Sequence, residues 1–138
     1  MPGLHWWPKP EAGAIVWCHF PNLPQVQPAI KPRPALLIQV FEDDVPHYRV
    51  LVAYGTSQKT DKLHKGEFLL ARAMGEPFRL AGLGHDTKFN LAARAELDYS
   101  SDWFKVPPGM PHGQTPMLGV LHASLMRAFQ AAWRAITP

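Results

Sequence analysis

The 138-residue chain holds a single cysteine, Cys18, so it has no internal disulfide available to it. That residue stands in the apolar run AIVWCHF, where a small buried side chain is the ordinary reading and a nucleophile is not expected. No apolar stretch approaches the roughly 20 residues that cross a bilayer. The start MPGLHWWPKPEAG sets aromatics and prolines where a signal peptide carries an aliphatic run, so a soluble cytoplasmic protein with no membrane partner is expected. Charge is also scarce. With 18% charged against 46% apolar residues the chain is a packed protein and not a disordered one. Its seven histidines never fall in a metal-ligand spacing such as H-x-x-x-H, and no metal site is read from them. His19 and His122 are read as packed or capping residues. His64 and His85 lie in polar loops where an acid–base role stays open.

What is abundant is proline, at 15 residues, which demands long irregular connections. The length suits one domain over residues 1–138. Residues 1–12 form an N-terminal arm in which Trp6 and Trp7 either fold over the body or stack on bases. Ala14 to Phe20 reads as a strand buried on both sides. From Pro21 to Pro34 no period survives five prolines (Pro21, Pro24, Pro28, Pro32 and Pro34), which describes a long stiffened loop. ALLIQVF, Ala35 to Phe41, has the profile of a central strand, and Tyr48 to Tyr54 forms a hairpin with it. GEFLLA, Thr87 to Leu91 and Glu96 to Tyr99 supply further short strands. PPGMPHGQTP, residues Pro107 to Pro116, reads as a rigid linker. Over 120–136 the spacing of Leu121, Leu125, Phe129, Ala132, Trp133 and Ile136 predicts a C-terminal helix with one apolar face. Strands without strand–helix alternation favour a mainly β fold, a small barrel with that helix packed on it.

The net charge of +3 permits a polyanionic partner, and its distribution says more than its size. In the middle of the chain Arg49, Lys59, Lys62, Lys65, Arg72, Arg79, Lys88 and Arg94 stand against Asp61, Glu67, Glu76 and Asp86. The positive excess is concentrated there.

The segments GAIVWCHF, KPRPALLI (Lys31 to Ile38) and VLVAYGTSQ (Val50 to Gln58) resemble, in order and spacing, the PemK/MazF family of toxin–antitoxin toxins. The likeness continues through GLGHDTKF and the terminal helix, covering about residues 13 to 136. It implies an SH3-like barrel of the CcdB/MazF/PemK type that forms a homodimer. The implied activity is that of a growth inhibitor, an endoribonuclease cutting single-stranded RNA without a metal or other cofactor. The implied partners are that RNA and an acidic antitoxin protein. Arg33 matches the family's catalytic arginine and Thr56 its catalytic threonine. Ser57 and Gln58 line the same turn, and Lys31, Lys59 and Lys88 are the expected contacts to the RNA backbone.

Elementary chemistry agrees with the cationic half of that assignment. Attack of a ribose 2′-OH on the adjacent phosphate gathers negative charge on phosphorus, and an arginine fork holds two phosphoryl oxygens while staying charged. An extended Lys31-Pro32-Arg33-Pro34 segment sets both cations on one face. The reaction also needs a proton acceptor, which arginine is not. PNLPQVQPAIK offers only Asn22, Gln25 and Gln27 in the preceding loop, and Glu96 is the nearest acid in the later strand. Without the family context Arg33 reads as a solvated strand-entry residue and Thr56 as a turn residue capping local backbone. A silent barrel that binds nucleic acid or a protein is therefore the alternative function.

Overall fold

In the computed structural model, which describes residues 3–137, the apolar runs become strands. They are β1 (Ala14–Cys18), β2 (Arg33–Asp44), β3 (His47–Thr56), β4 (Glu67–Leu70), β5 (Thr87–Asp98) and β6 (Met117–Val120). All pair antiparallel in one 6-stranded sheet of order β4-β5-β3-β2-β1-β6. Successive side chains of a strand face opposite sides, and here both sides are apolar because both are covered. Val16, Leu37, Val50 and Val52 enter one layer. Ile15, Leu36 and Ala53 enter the other. Each fully buried Val, Leu or Ile contributes about 1.5–3 kcal/mol, so two covered faces serve a chain that has no disulfide.

The first layer is closed by the N-terminal arm. Trp7 packs against it beside Trp103 and Phe104, and the Trp7 amide donates to the Tyr99 carbonyl at 3.0 Å. Trp6 bridges to Ser100 and stacks on His47 with ring centroids 4.2 Å apart. Of the two readings of the arm, Trp6 and Trp7 follow the one in which they fold over the body, residues 1 and 2 being outside the described range. The second layer is covered by two helices, α1 (Glu76–Ala81) and α2 (Met126–Ile136). α2 lays Phe129, Ala132, Trp133 and Ile136 on it, in keeping with the spacing that foretold a helix.

Three expectations change. The helix foreseen from residue 120 starts at Met126 after a 3-10 turn at Ala123–Leu125, because Val120 belongs to β6 and pairs with Ala14. His122 caps that turn, its Nδ1 accepting from the Ser124 amide at 3.1 Å. The two short strands foreseen at Thr87–Leu91 and Glu96–Tyr99 are one strand with an irregularity. Ala53 pairs with Arg94 while the next residue, Tyr54, pairs with Asn90, leaving Leu91, Ala92 and Ala93 out of register with β3. The amides freed there donate elsewhere, Leu91 to the Gly66 carbonyl at 2.8 Å and Ala92 to Asn90 Oδ1 at 2.9 Å. This kink sends Phe89 and Leu91 to the helix layer but Ala95 and Leu97 to the arm layer. Finally, the sheet is open rather than closed, since β4 and β6 are its edges. α1 occupies the gap between them. Its Phe78 and Ala81 join Phe68 and Leu70 of β4 in one cluster, and its Leu80–Ala81 backbone lies directly on Gly119 of β6.

Candidate functional site

β2 enters the sheet where β3 leaves it. Their register pairs Ala35 with Tyr54, so the next residues outward set Pro34 near Gly55 and Arg33 near Thr56. Glycine is required at 55: a Cβ there would lie 2.5 Å from the Pro34 carbonyl oxygen and 2.8 Å from Phe89 Cε1. The close approach it permits draws the arginine and the threonine to one corner. Thr56 Oγ1 accepts a hydrogen bond from the Gln58 amide at 3.1 Å, which turns the chain out of the sheet. The local capping use of Thr56 is therefore real and leaves its hydroxyl proton free to be donated.

The facing wall is the segment from Gly82 to Asp86. α1 ends at Gly82 in the left-handed region, φ 71°, and a Cβ at that position would collide with the Leu118 carbonyl oxygen of β6. Three bonds then hold the segment. Asp86 Oδ1 accepts from the Arg72 amide at 2.7 Å, Arg72 Nη2 donates to the Gly84 carbonyl at 2.6 Å, and Thr87 Oγ1 donates to the His85 carbonyl at 2.8 Å. His85 is pinned through its backbone while its side chain stays exposed.

Between the walls is a cleft of about 390 Å³, lined among others by Lys31, Arg33, Thr56, Ser57, His85 and, from β1, Trp17. That volume falls in the range of about 300–1,000 Å³ typical of ligand sites. Among the described residues no ion pair engages Lys31 or Arg33, in contrast to Lys9, Arg49, Arg79 and Lys88. Among the described residues no carboxylate lines the cleft. Its electrostatic character is therefore cationic, with the half-buried residue Arg33 at its corner. Arg33 and Lys31 also border a polar ledge with Asn22, Gln25 and Gln27, so the proline-rich loop and the cleft form one surface. His19 ties that loop down, its Nδ1 donating to the Ala29 carbonyl at 2.8 Å.

Not every residue expected at the site is there. Lys31, Arg33, Thr56 and Ser57 converge. Gln58 and Lys59 are exposed beyond the turn and do not line the cleft. Lys88 is buried instead: its Nζ lies 3.1 Å from Glu67 Oε1 and donates to the Lys62 carbonyl at 2.9 Å, so its charge is already matched. Glu96, the nearest acid by sequence, pairs with Arg49 on the sheet surface. Two residues were missed. Trp17 was read as strand core, yet period two places it opposite Val16 and Cys18, on the cleft side. Arg72, with Ser57, His85 and Asp86, borders a shallower extension of the cleft, and nothing local in the sequence marked it. Cys18 is buried, and burial pushes its thiol far above the ordinary value, which keeps it neutral and out of nucleophilic chemistry. Neither a comparison with models of known protein families nor one with curated proteins gives a match to this chain.

Proposed function

We propose that this chain is a metal-independent endoribonuclease toxin of the PemK/MazF type, its open sheet a variant of the SH3-like barrel of that family. The observation that carries the reading is the guanidinium of Arg33, in no ion pair among the described residues, set in a ligand-sized cleft that the Thr56 side chain also lines. In this reading Arg33 holds the scissile phosphate by two oxygens and takes up the charge that develops on it, while Thr56 adds a hydroxyl donor. Lys31 holds a neighbouring phosphate, and Trp17 offers a face on which a splayed base stacks. The substrate is single-stranded RNA, since stacking and backbone contacts of this kind need unpaired bases. A homodimer, an acidic antitoxin segment across the cationic cleft and a cytoplasmic setting complete the proposal.

The test incubates the purified protein in EDTA with a mixed-sequence single-stranded RNA and maps the new ends. A cyclic phosphate and a 5′-OH are expected, and Arg33→Ala should slow cleavage by about 10²–10³-fold, as loss of one oxyanion-type donor does. That no described carboxylate lines the cleft favours a second reading, a silent fold that binds nucleic acid or a protein. Tight, salt-sensitive RNA binding without cleavage would establish binding alone, and neither cleavage nor binding would sink both RNA readings.

A further inference from the structure

We infer that His85 is the general base of this cleft, the group that takes the proton from the ribose 2′-OH. The inference rests on the ribonuclease reading above. Transesterification needs a proton acceptor at the 2′-oxygen, and neither guanidinium, ammonium nor aliphatic hydroxyl accepts a proton near neutral pH. Of the residues lining the cleft, His85 carries the one side chain type that does so there. The other groups around it are the cations Lys31 and Arg33 in the same cleft, with Arg72 and Asp86 beside it in the shallow extension. Asp86 is engaged by the Arg72 amide. The imidazole has no hydrogen-bond partner among the described residues, while its backbone is fixed on both sides by the bonds of Arg72 and Thr87. An imidazole on a held backbone, with no partner of its own, is open to accept a proton from a bound ribose.

Neutral His85 removes the 2′-OH proton as the 2′-oxygen bonds to phosphorus. The bond from phosphorus to the 5′-oxygen breaks, and that oxygen takes a proton from water in the open cleft. A 2′,3′-cyclic phosphate and a 5′-OH leave, and the imidazolium returns its proton to the hydroxide so formed. Arg33 compensates the phosphoryl charge throughout.

The experiment measures single-turnover cleavage by the full chain, His85→Gln, His85→Ala and Arg33→Ala. Binding of an RNA with 2′-deoxyribose at the scissile position is measured in parallel. Loss of the base should lower the rate constant of His85→Gln by about 100-fold or more, with binding changed less than about twofold. Added imidazole should restore part of the rate to His85→Ala, an effect no structural role of the side chain would produce. An RNA whose leaving 5′-oxygen is replaced by sulfur needs no protonation of the leaving group, and the defect of His85→Gln should persist on it. If that substrate restores His85→Gln to the rate of the unaltered chain, His85 is the acid and the assignment is overturned. If His85→Gln cleaves RNA within about threefold of the unaltered chain, His85 takes no part, whereas the ribonuclease reading stands. Should the unaltered chain not cleave RNA at all, that reading falls and this inference falls with it.

Discussion

At the scale of single residues, the middle of the chain carries more positive charge than its surface offers. Lys88 and Glu67 have side chains only 6% and 7% exposed, and Glu67 Oε1 also accepts the His64 amide at 2.6 Å. The pair is an anchor that ties the 57–66 loop to β5 through Lys62 and His64. Lys88→Met should cost about 3–5 kcal/mol in urea denaturation, because it strands a buried carboxylate. The double change Lys88→Met with Glu67→Leu should recover much of the loss, and additive losses would refute the pairing. Cys18 and Tyr99 make a second prediction. Burial raises the thiol above its ordinary 9.0 and the phenol above its ordinary 10.0. The folded protein thus keeps each proton to higher pH than the unfolded chain does. The stability this contributes is fully present below pH 9.0 and is lost as pH climbs from there toward the folded-state values. Stability should fall by about 1.4 kcal/mol per pH unit for each group once its unfolded form ionises. Between pH 9 and 10, Cys18→Ala should remove most of that slope, and denaturation at a series of alkaline pH values checks it.

At the scale of elements, the strands of the arm-to-hairpin half were legible because each is buried on both sides and its run of branched residues is unbroken. α1 was not, because six residues containing Pro77 between Gly75 and Gly82 carry no helical period. β6 escaped notice because MLGV follows a proline-rich stretch and becomes a strand only by pairing with β1. The site divided the same way. Arg33 and Thr56 were paired by the family resemblance, and the β2–β3 register brings them to one corner, whereas Trp17 and His85 reach the cleft, and Arg72 its shallow extension, from other elements that no local pattern links to them. Gly55 is where element and site meet. Gly55→Ala forces a Cβ against the Pro34 carbonyl, so the β2 entry must move away from the β3 exit. A loss of about 1–3 kcal/mol is expected, as for other overpacked positions, together with RNA cleavage reduced as far as by Arg33→Ala. Thermal melting and the cleavage assay, run on the same preparation, separate the two effects.

At the scale of the whole molecule, one sheet carries two cores. Leu36 and Leu37 are adjacent in β2, each 1% exposed, and they enter opposite layers. Leu36→Ala and Leu37→Ala should each cost about 2–5 kcal/mol. Each should shift one common transition, since β1, β2, β3 and β5 serve both layers. Fluorescence of Trp133, in the helix layer, and of Trp7 and Trp103, in the arm layer, would report it. Coincident curves are expected, and two separate transitions would refute the shared framework.

The kink in β5 is a matter of parity. Leu91, Ala92 and Ala93 stand outside the pairing with β3, and an odd number of such residues exchanges the two faces of everything that follows. An even number would leave Phe89 and Leu91 aimed at the arm and strip the helices of two of their largest contacts. The pairing on either side of the kink thus sets the faces, Phe89 opposite Gly55 and Ala95 opposite Val52, and Leu91, Ala92 and Ala93 between them take up the step in length.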